Sequence, residues 1–271
     1  MIFLELSIPV LLILACIYLI LEYSLLVPAV KGLPVLMYHN ISKEKSDGLN
    51  IPVSKLELQL MYLKEKGYRT VTLKEISELI RNGAKLPGKA VLLTFDDAYS
   101  GIEKELIPFL ERYGFNAVVF VPVAYMGKSN LWDDGNLSII DAGSLKKITG
   151  SGHIEIGLHS FLHKSYNDLL PEDMEEDLKN CRQTLDFYNI PYCDAFAYPY
   201  GAYPRKDEKM KQEMFAVFRK SGIEMAFRIG NRINKFPLRE RYELTRTDIR
   251  GSDSFFVFRT KLKKGRAKVF A

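Results

Sequence analysis

The chain has 271 residues, 47% hydrophobic and 26% charged, with a formal net charge of +5. Such a composition excludes a disordered, collagen-like or disulfide-dense chain. Lys and Arg are interleaved with Asp and Glu, so the modest positive charge demands no nucleic-acid partner.

The first predicted element differs in kind from the rest. Residues 1–30 contain no Lys or Arg, and Glu5 and Glu22 are their only acids. The stretch from Leu6 to Leu21 is uncharged and would be roughly 24 Å long as a helix. Carried past Glu22 to Val30, it reaches the roughly 20 residues that a bilayer span needs. A secretory signal usually has a basic start and a small-residue cleavage site, and neither is clear here, which favours a retained anchor with a cleaved signal as the alternative. The sequence therefore predicts a single-pass anchor over 1–30 and a separate folded domain over 31–271. Lys31, Lys43 and Lys45 follow the anchor and, by the positive-inside rule, would hold the domain in the cytoplasm. Three lysines are a weak bias, and the chemistry below favours an extracytoplasmic domain.

Strand-like and helix-like stretches then alternate. "PVLMYH" (34–39) reads as a strand, and "SKLELQLMYLKEKG" (54–67) as a helix capped by Ser54 and stopped by Gly67. A short strand (68–72), a helix (73–83) and the apolar strand "AVLLTF" (90–95) follow. Helices are predicted over 101–114, 142–152, 171–188, 208–222 and 253–265, with Pro171 at a favoured first-turn position. Strands are predicted over 116–123, 154–160, 194–199, 224–229 and 242–249. The basic run 261–270 reads as the solvated end of the last helix, with a membrane-surface contact as the alternative. This alternation predicts an α/β fold, a distorted (β/α) barrel of about seven parallel strands. In such barrels the working residues sit at the C-terminal ends of the strands.

The polar residues at those ends are His39, Asp96 and Asp97, His159 and His163, and Tyr200. They include three of the chain's four histidines. Asp96 and Asp97 close a strand that reads as buried, and two adjacent carboxylates there resist joint ionisation unless something neutralises them. His159 and His163 are four apart, so a helix starting after His159 would put both imidazoles on one face. Two histidines and one carboxylate form a set that holds a divalent ion, zinc included, with open positions. The ion would neutralise one Asp and leave the other to accept a proton. The turn at "YPYG" presents backbone N–H groups, the Tyr200 N–H among them, that suit an oxyanion. His39 fits a general acid. Trp132, in the polar loop "SNLWDDGNLS", suits stacking on a sugar face. Cys181 and Cys193 either pair, in an oxidising compartment, or stand as separate thiols. The cysteine spacing fits no metal knuckle.

Together these motifs resemble the polysaccharide deacetylase family, carbohydrate esterases that remove N- or O-acetyl groups. "TFDD" is similar to its first motif, which implies Asp96 as base and Asp97 as metal ligand. "HSFLH" is similar to the second, with His159 and His163 as ligands and Ser160 supporting the loop. "YPYG" is similar to the third, with the Tyr200 N–H in the oxyanion hole. Two features depart from the family pattern: Ala197 stands where an Arg usually pairs with the base, and no His follows His163. "PVLMYHNI" resembles the branch with rearranged motif order that includes biofilm poly-N-acetylglucosamine deacetylases, which implies His39 as acid. Arg246 is the candidate to replace the missing Arg.

The resemblance implies a metal-dependent hydrolase, most simply with Zn²⁺, that releases acetate from an N-acetylglucosamine-type polymer. A membrane-tethered carbohydrate-binding protein on a retired esterase fold is the alternative. A two-carboxylate glycoside hydrolase is disfavoured, because adjacent strand residues do not flank one bond.

Overall fold

The computed structural model describes residues 8–22, 28–86, 88–133 and 135–267. An apolar helix, α1 (Ile8–Glu22), comes first. The body follows as β1 (Val35–Tyr38), β2 (Asn40–Ser42), β3 (Asn50–Pro52), α2 (Val53–Glu65), β4 (Arg69–Thr70), α3 (Leu73–Arg81), β5 (Ala90–Asp96), α4 (Ile107–Tyr113), β6 (Ala117–Val121) and α5 (Ala142–Thr149). It continues as β7 (Ile154–Leu158), α6 (Pro171–Phe187), β8 (Ala195–Ala197), α7 (Glu208–Lys220), β9 (Met225–Ile229), β10 (Leu244–Asp248) and α8 (Phe255–Lys264).

Strands β1, β5, β6, β7, β8, β9 and β10 pair in parallel in that order, and β10 pairs back to β1. The result is a closed seven-stranded parallel barrel with helices around it, and β4 is added to β5 from outside the ring. Period-two alternation divides the buried side chains into two clusters. One set, including Leu36, Leu93, Val119, Ile156 and Phe196, packs under the helices. The other, including Val35, Leu92, Phe120, Ala195, Ala197 and Phe227, fills the barrel. Space inside is tight at Gly157, where an added Cβ would meet the Phe120 ring at 2.4 Å.

Local signals explain most helix starts. Thr72 and Glu75 form a capping box at α3, and Asp141, Asp207 and Ser254 cap α5, α7 and α8. Ser54 is not a cap. Helix α2 starts one residue earlier because Pro52, ending β3 at φ −60°, already leads into it. The stretch before α4 (Ile102–Leu106) is π-helical.

The expected anchor is met only in part. Helix α1 has 15 residues, and among the described residues no helix is long and apolar enough to cross a membrane. Residues 1–7 and 23–27 of the expected span lie outside the described residues. Cys181 is buried in the core and Cys193 lies beside Glu155, with both thiols free.

Candidate active site and metal centre

Strand β5 delivers the two carboxylates. It ends at Asp96, and Asp97 and Ala98 take left-handed backbone, φ 68° and 51°. In a continued strand the two side chains would face opposite ways. The turn lets both line one cavity of about 270 Å³ at the C-terminal mouth of the barrel, together with His39, Trp132, His163 and Tyr200.

The histidines reach the mouth by a loop and not by the predicted helix. Among the described residues there is no helix between β7 and α6. Ser160 and His163 instead adopt φ 63° and 53°. The curled loop brings both Nε2 atoms toward Asp97 Oδ1, at 3.5 Å from His159 and 3.2 Å from His163. Asp177, on α6, holds the curl. Its carboxylate accepts from Ser160 Oγ (2.8 Å), the Phe161 N–H (2.8 Å) and the Tyr166 hydroxyl (2.9 Å). Ser160 Oγ also accepts from the Lys164 N–H at 3.1 Å. Burial pushes the Asp177 carboxyl above its usual range.

Asp97, His159 and His163 are all buried, and their donor atoms lie within 4.8 Å of one another. Asp97 Oδ1 has no hydrogen-bond partner, an orphaned buried atom that asks for a cation. The His159 Nδ1–H donates to the Ala197 carbonyl at 2.7 Å, which fixes the tautomer and leaves Nε2 with its lone pair. Burial pushes His159 down to about 4, so its ring is neutral at neutral pH. Two imidazole nitrogens and a carboxylate oxygen are a donor set that fits a divalent ion.

Arg246, on β10, is itself buried and places two nitrogens on Asp96, at 2.5 and 2.7 Å. Its guanidinium lies over the Phe120 ring at 5.5 Å, inside the barrel, where Ala197 also belongs to the interior cluster. A small side chain on β8 thus coincides with a long cation from β10. Burial would raise the Asp96 carboxyl, but Arg246 and the nearby His159 hold it below the usual carboxylate range. Burial also opposes ionisation of Asp97, and the imidazoles of His163 and His159 override it.

His39 follows β1, lines the same cavity, and has a buried Nδ1 without a partner. Tyr200, in a left-handed turn at φ 57°, brings its hydroxyl to 3.2 Å from His163 Nδ1. Trp132 stacks on the His163 imidazole, with centroids 4.2 Å apart and planes at 23°. One of its faces is therefore taken by a ligand candidate, and it also packs on Tyr125. The sequence reading missed Tyr99, Asp133 and Asp177. Tyr99 is buried in the same cavity, and burial and Asp97 push its hydroxyl far up. Asp177 had a readable signal: it interrupts the apolar stripe Met174, Leu178, Cys181, Leu185 of α6.

A polysaccharide deacetylase family model matches residues 83–226, more than half of the chain. The chain belongs to this family. It is 30% identical over 193 residues to YxkH of Bacillus subtilis (strain 168), named as a polysaccharide deacetylase, covering 71% of this chain and 63% of that one. It is 26% identical over 199 residues to the poly-beta-1,6-N-acetyl-D-glucosamine N-deacetylase of Staphylococcus aureus (strain MSSA476), covering 70% of this chain and 65% of that one. The chain thus spans less than two thirds of the length of these two curated relatives. The structure of IcaB from Ammonifex degensii matches with a TM-score of 0.70 at 23% identity, over 88% of this chain and 99% of that one, which shows a shared fold.

Proposed function

We propose that the protein is a metal-dependent hydrolase that removes N-acetyl groups from an N-acetylglucosamine-type polysaccharide and releases acetate. One observation carries the reading: a buried three-donor cluster, Asp97, His159 and His163, stands beside a carboxylate, Asp96, that Arg246 keeps ionised. Asp97, His159 and His163 would hold the ion, with zinc the first choice. Such an ion supplies Lewis acidity toward the acetyl carbonyl and lowers the pKa of water toward about 7.

This chain's residues do the rest. Asp96 takes the proton of the attacking water, and Arg246 fixes the carboxylate for that transfer. The Tyr200 N–H stabilises the oxyanion. His39, whose buried Nδ1 is unpaired, protonates the leaving amine. Ser160 supports the ligand loop. Trp132 orders His163 and offers its remaining surface to the sugar. A retired fold kept for binding alone would have no use for a bidentate arginine on Asp96 beside an intact donor cluster.

The domain division 1–30 and 31–271 belongs to the same proposal, with α1 in a single-pass anchor and the barrel extracytoplasmic, where polysaccharide is found. The support is that α1 is apolar yet exposed at every residue from 9 to 18. A helix apolar all round needs an apolar surrounding. The test is acetate release from poly-N-acetylglucosamine by the zinc-loaded full chain, with peptidoglycan and chitin oligomers in parallel. No acetate from any of these polymers, by protein shown to hold the metal, refutes the enzyme reading.

A further inference from the structure

A second feature lies at the opposite end of the barrel. Residues 28–34 enter β1 at its N-terminal end, tied there by the Val30 N–H to the Lys263 carbonyl (2.9 Å) and the Leu33 N–H to the Asn234 carbonyl (2.8 Å). Around this entry, Lys31, Lys85 and Lys235 line one concavity with Pro28, Val30 and Phe236. Lys235 also lines the adjoining concavity, which adds Arg232 and Arg239. All five cations are exposed, and among the described residues none of their side-chain nitrogens has a hydrogen-bonding or ion-pair partner. Two acids share the adjoining concavity, Glu240, which accepts from the Tyr242 N–H at 2.9 Å, and Glu243, which accepts from the Tyr203 hydroxyl at 2.6 Å, and the cations there outnumber them. Elsewhere on the surface some Lys and Arg meet carboxylates, as Arg69 meets Glu75 and Lys220 meets Glu175, so the rim is marked by its clustering of cations beside the chain's entry and not by their being unpaired alone.

We infer that this rim is a docking surface for anionic phospholipid headgroups. Two observations select a bilayer as occupant. The five unpaired cations surround the point where the chain leaves toward α1, and α1 is an apolar helix exposed from residue 9 to 18. A cationic rim beside an apolar segment is the arrangement that binds an anionic membrane surface. Because the strands are parallel, the rim at their N-terminal ends and the candidate active site at their C-terminal ends face opposite ways. Docking therefore points the mouth away from the bilayer, about 20 Å out by the rise of strand β5. The choice of a bilayer as occupant draws on the anchor reading of α1, whereas the orientation follows from the place of the rim on the barrel.

The experiment is sedimentation of the full chain with vesicles of phosphatidylcholine alone or of equimolar phosphatidylcholine and phosphatidylglycerol. The parent chain is compared with Leu11→Glu/Leu14→Glu/Ile17→Glu, which changes only exposed side chains of α1. This variant is expected to lose binding to neutral vesicles and keep salt-sensitive binding to the anionic ones. Adding Lys31→Ala/Lys85→Ala/Lys235→Ala should weaken that remaining binding by roughly 100-fold, about fivefold per lysine near the surface. Equal binding of the Leu11→Glu/Leu14→Glu/Ile17→Glu variant to both vesicle types, or no change on removing the three lysines from it, overturns the inference. A parent chain that ignores neutral vesicles but binds anionic ones refutes the anchor and supports the rim.

Discussion

Arg246 on β10 holds Asp96 on β5 through two parallel hydrogen bonds of 2.5 and 2.7 Å, both side chains being buried. Strand β1 lies between their strands, so the pair bridges over a neighbour inside the barrel. The carboxylate is thereby fixed in direction as well as in charge. Removing one member of such a pair strands the other: Arg246→Ala is expected to cost about 3–5 kcal/mol of stability, read by urea unfolding. The signed pH effect follows from the depressed carboxyl of Asp96. Its stabilising contribution is present above the unfolded carboxylate pKa and is lost as pH falls through the lower folded one. In Arg246→Ala the carboxyl rises, so the acid limb of the rate profile moves to higher pH. An unmoved limb would show that Arg246 does not set the state of Asp96.

Asp96 and Asp97 separate cleanly by substitution. Asp96→Asn keeps the shape and the donor cluster, so it should bind zinc like the parent while turnover falls by about 10²–10⁴, the usual share of a general base. Asp97→Ala removes a donor and should abolish stoichiometric zinc in elemental analysis. Near-parental turnover in Asp96→Asn, on an acetylated glucosamine oligomer, would remove Asp96 from the role of base.

The barrel was legible because parallel strands buried on both faces read as apolar runs with helices between them. The residue types of the site were legible for the same reason, since they close those runs. Their geometry was not. Asp97 and His163 face the cavity only through left-handed backbone, and left-handed turns at non-glycine residues leave no mark in a residue pattern. Arg246 sits two residues into β10 among Thr residues and carries no signal of facing Asp96; only the gap at Ala197 pointed to the need for it. Trp132 against His163 is a contact between distant loops that no local spacing encodes.

Asp177 touches no proposed ligand, yet it fastens the loop that carries two of them. Asp177→Ala leaves Ser160 Oγ, the Phe161 N–H and the Tyr166 hydroxyl without their acceptor. Each buried group left unpaired costs about 1–3 kcal/mol. Zinc affinity should fall by about 10–100-fold, as for other groups that orient a ligand from behind. Titration calorimetry with zinc reads this directly. Ser160→Ala, which removes one of the three bonds to Asp177 and the bond from the Lys164 N–H, should give the smaller loss; equal affinity in both variants and the parent would leave the loop held by packing alone.

The metal-free protein should lose stability in a defined acid window. Burial lowers His159 from an ordinary 6.5 to about 4 in the folded state. Between those values the unfolded chain binds the proton and the folded chain does not, so stability rises with pH across the window and falls as the medium is acidified from about 6.5 toward about 4. A bound divalent ion adds stability by mass action and competes with the proton for Nε2. Chelation should therefore lower the melting temperature at neutral pH, and the gap between loaded and chelated protein should begin to close only as the pH nears about 4, where His159 of the folded protein takes up the proton. Thermal melts at several pH values, with zinc and with chelator, measure both curves. A chelated protein of constant melting temperature from pH 6.5 to 4 would show that His159 is not held neutral by its burial.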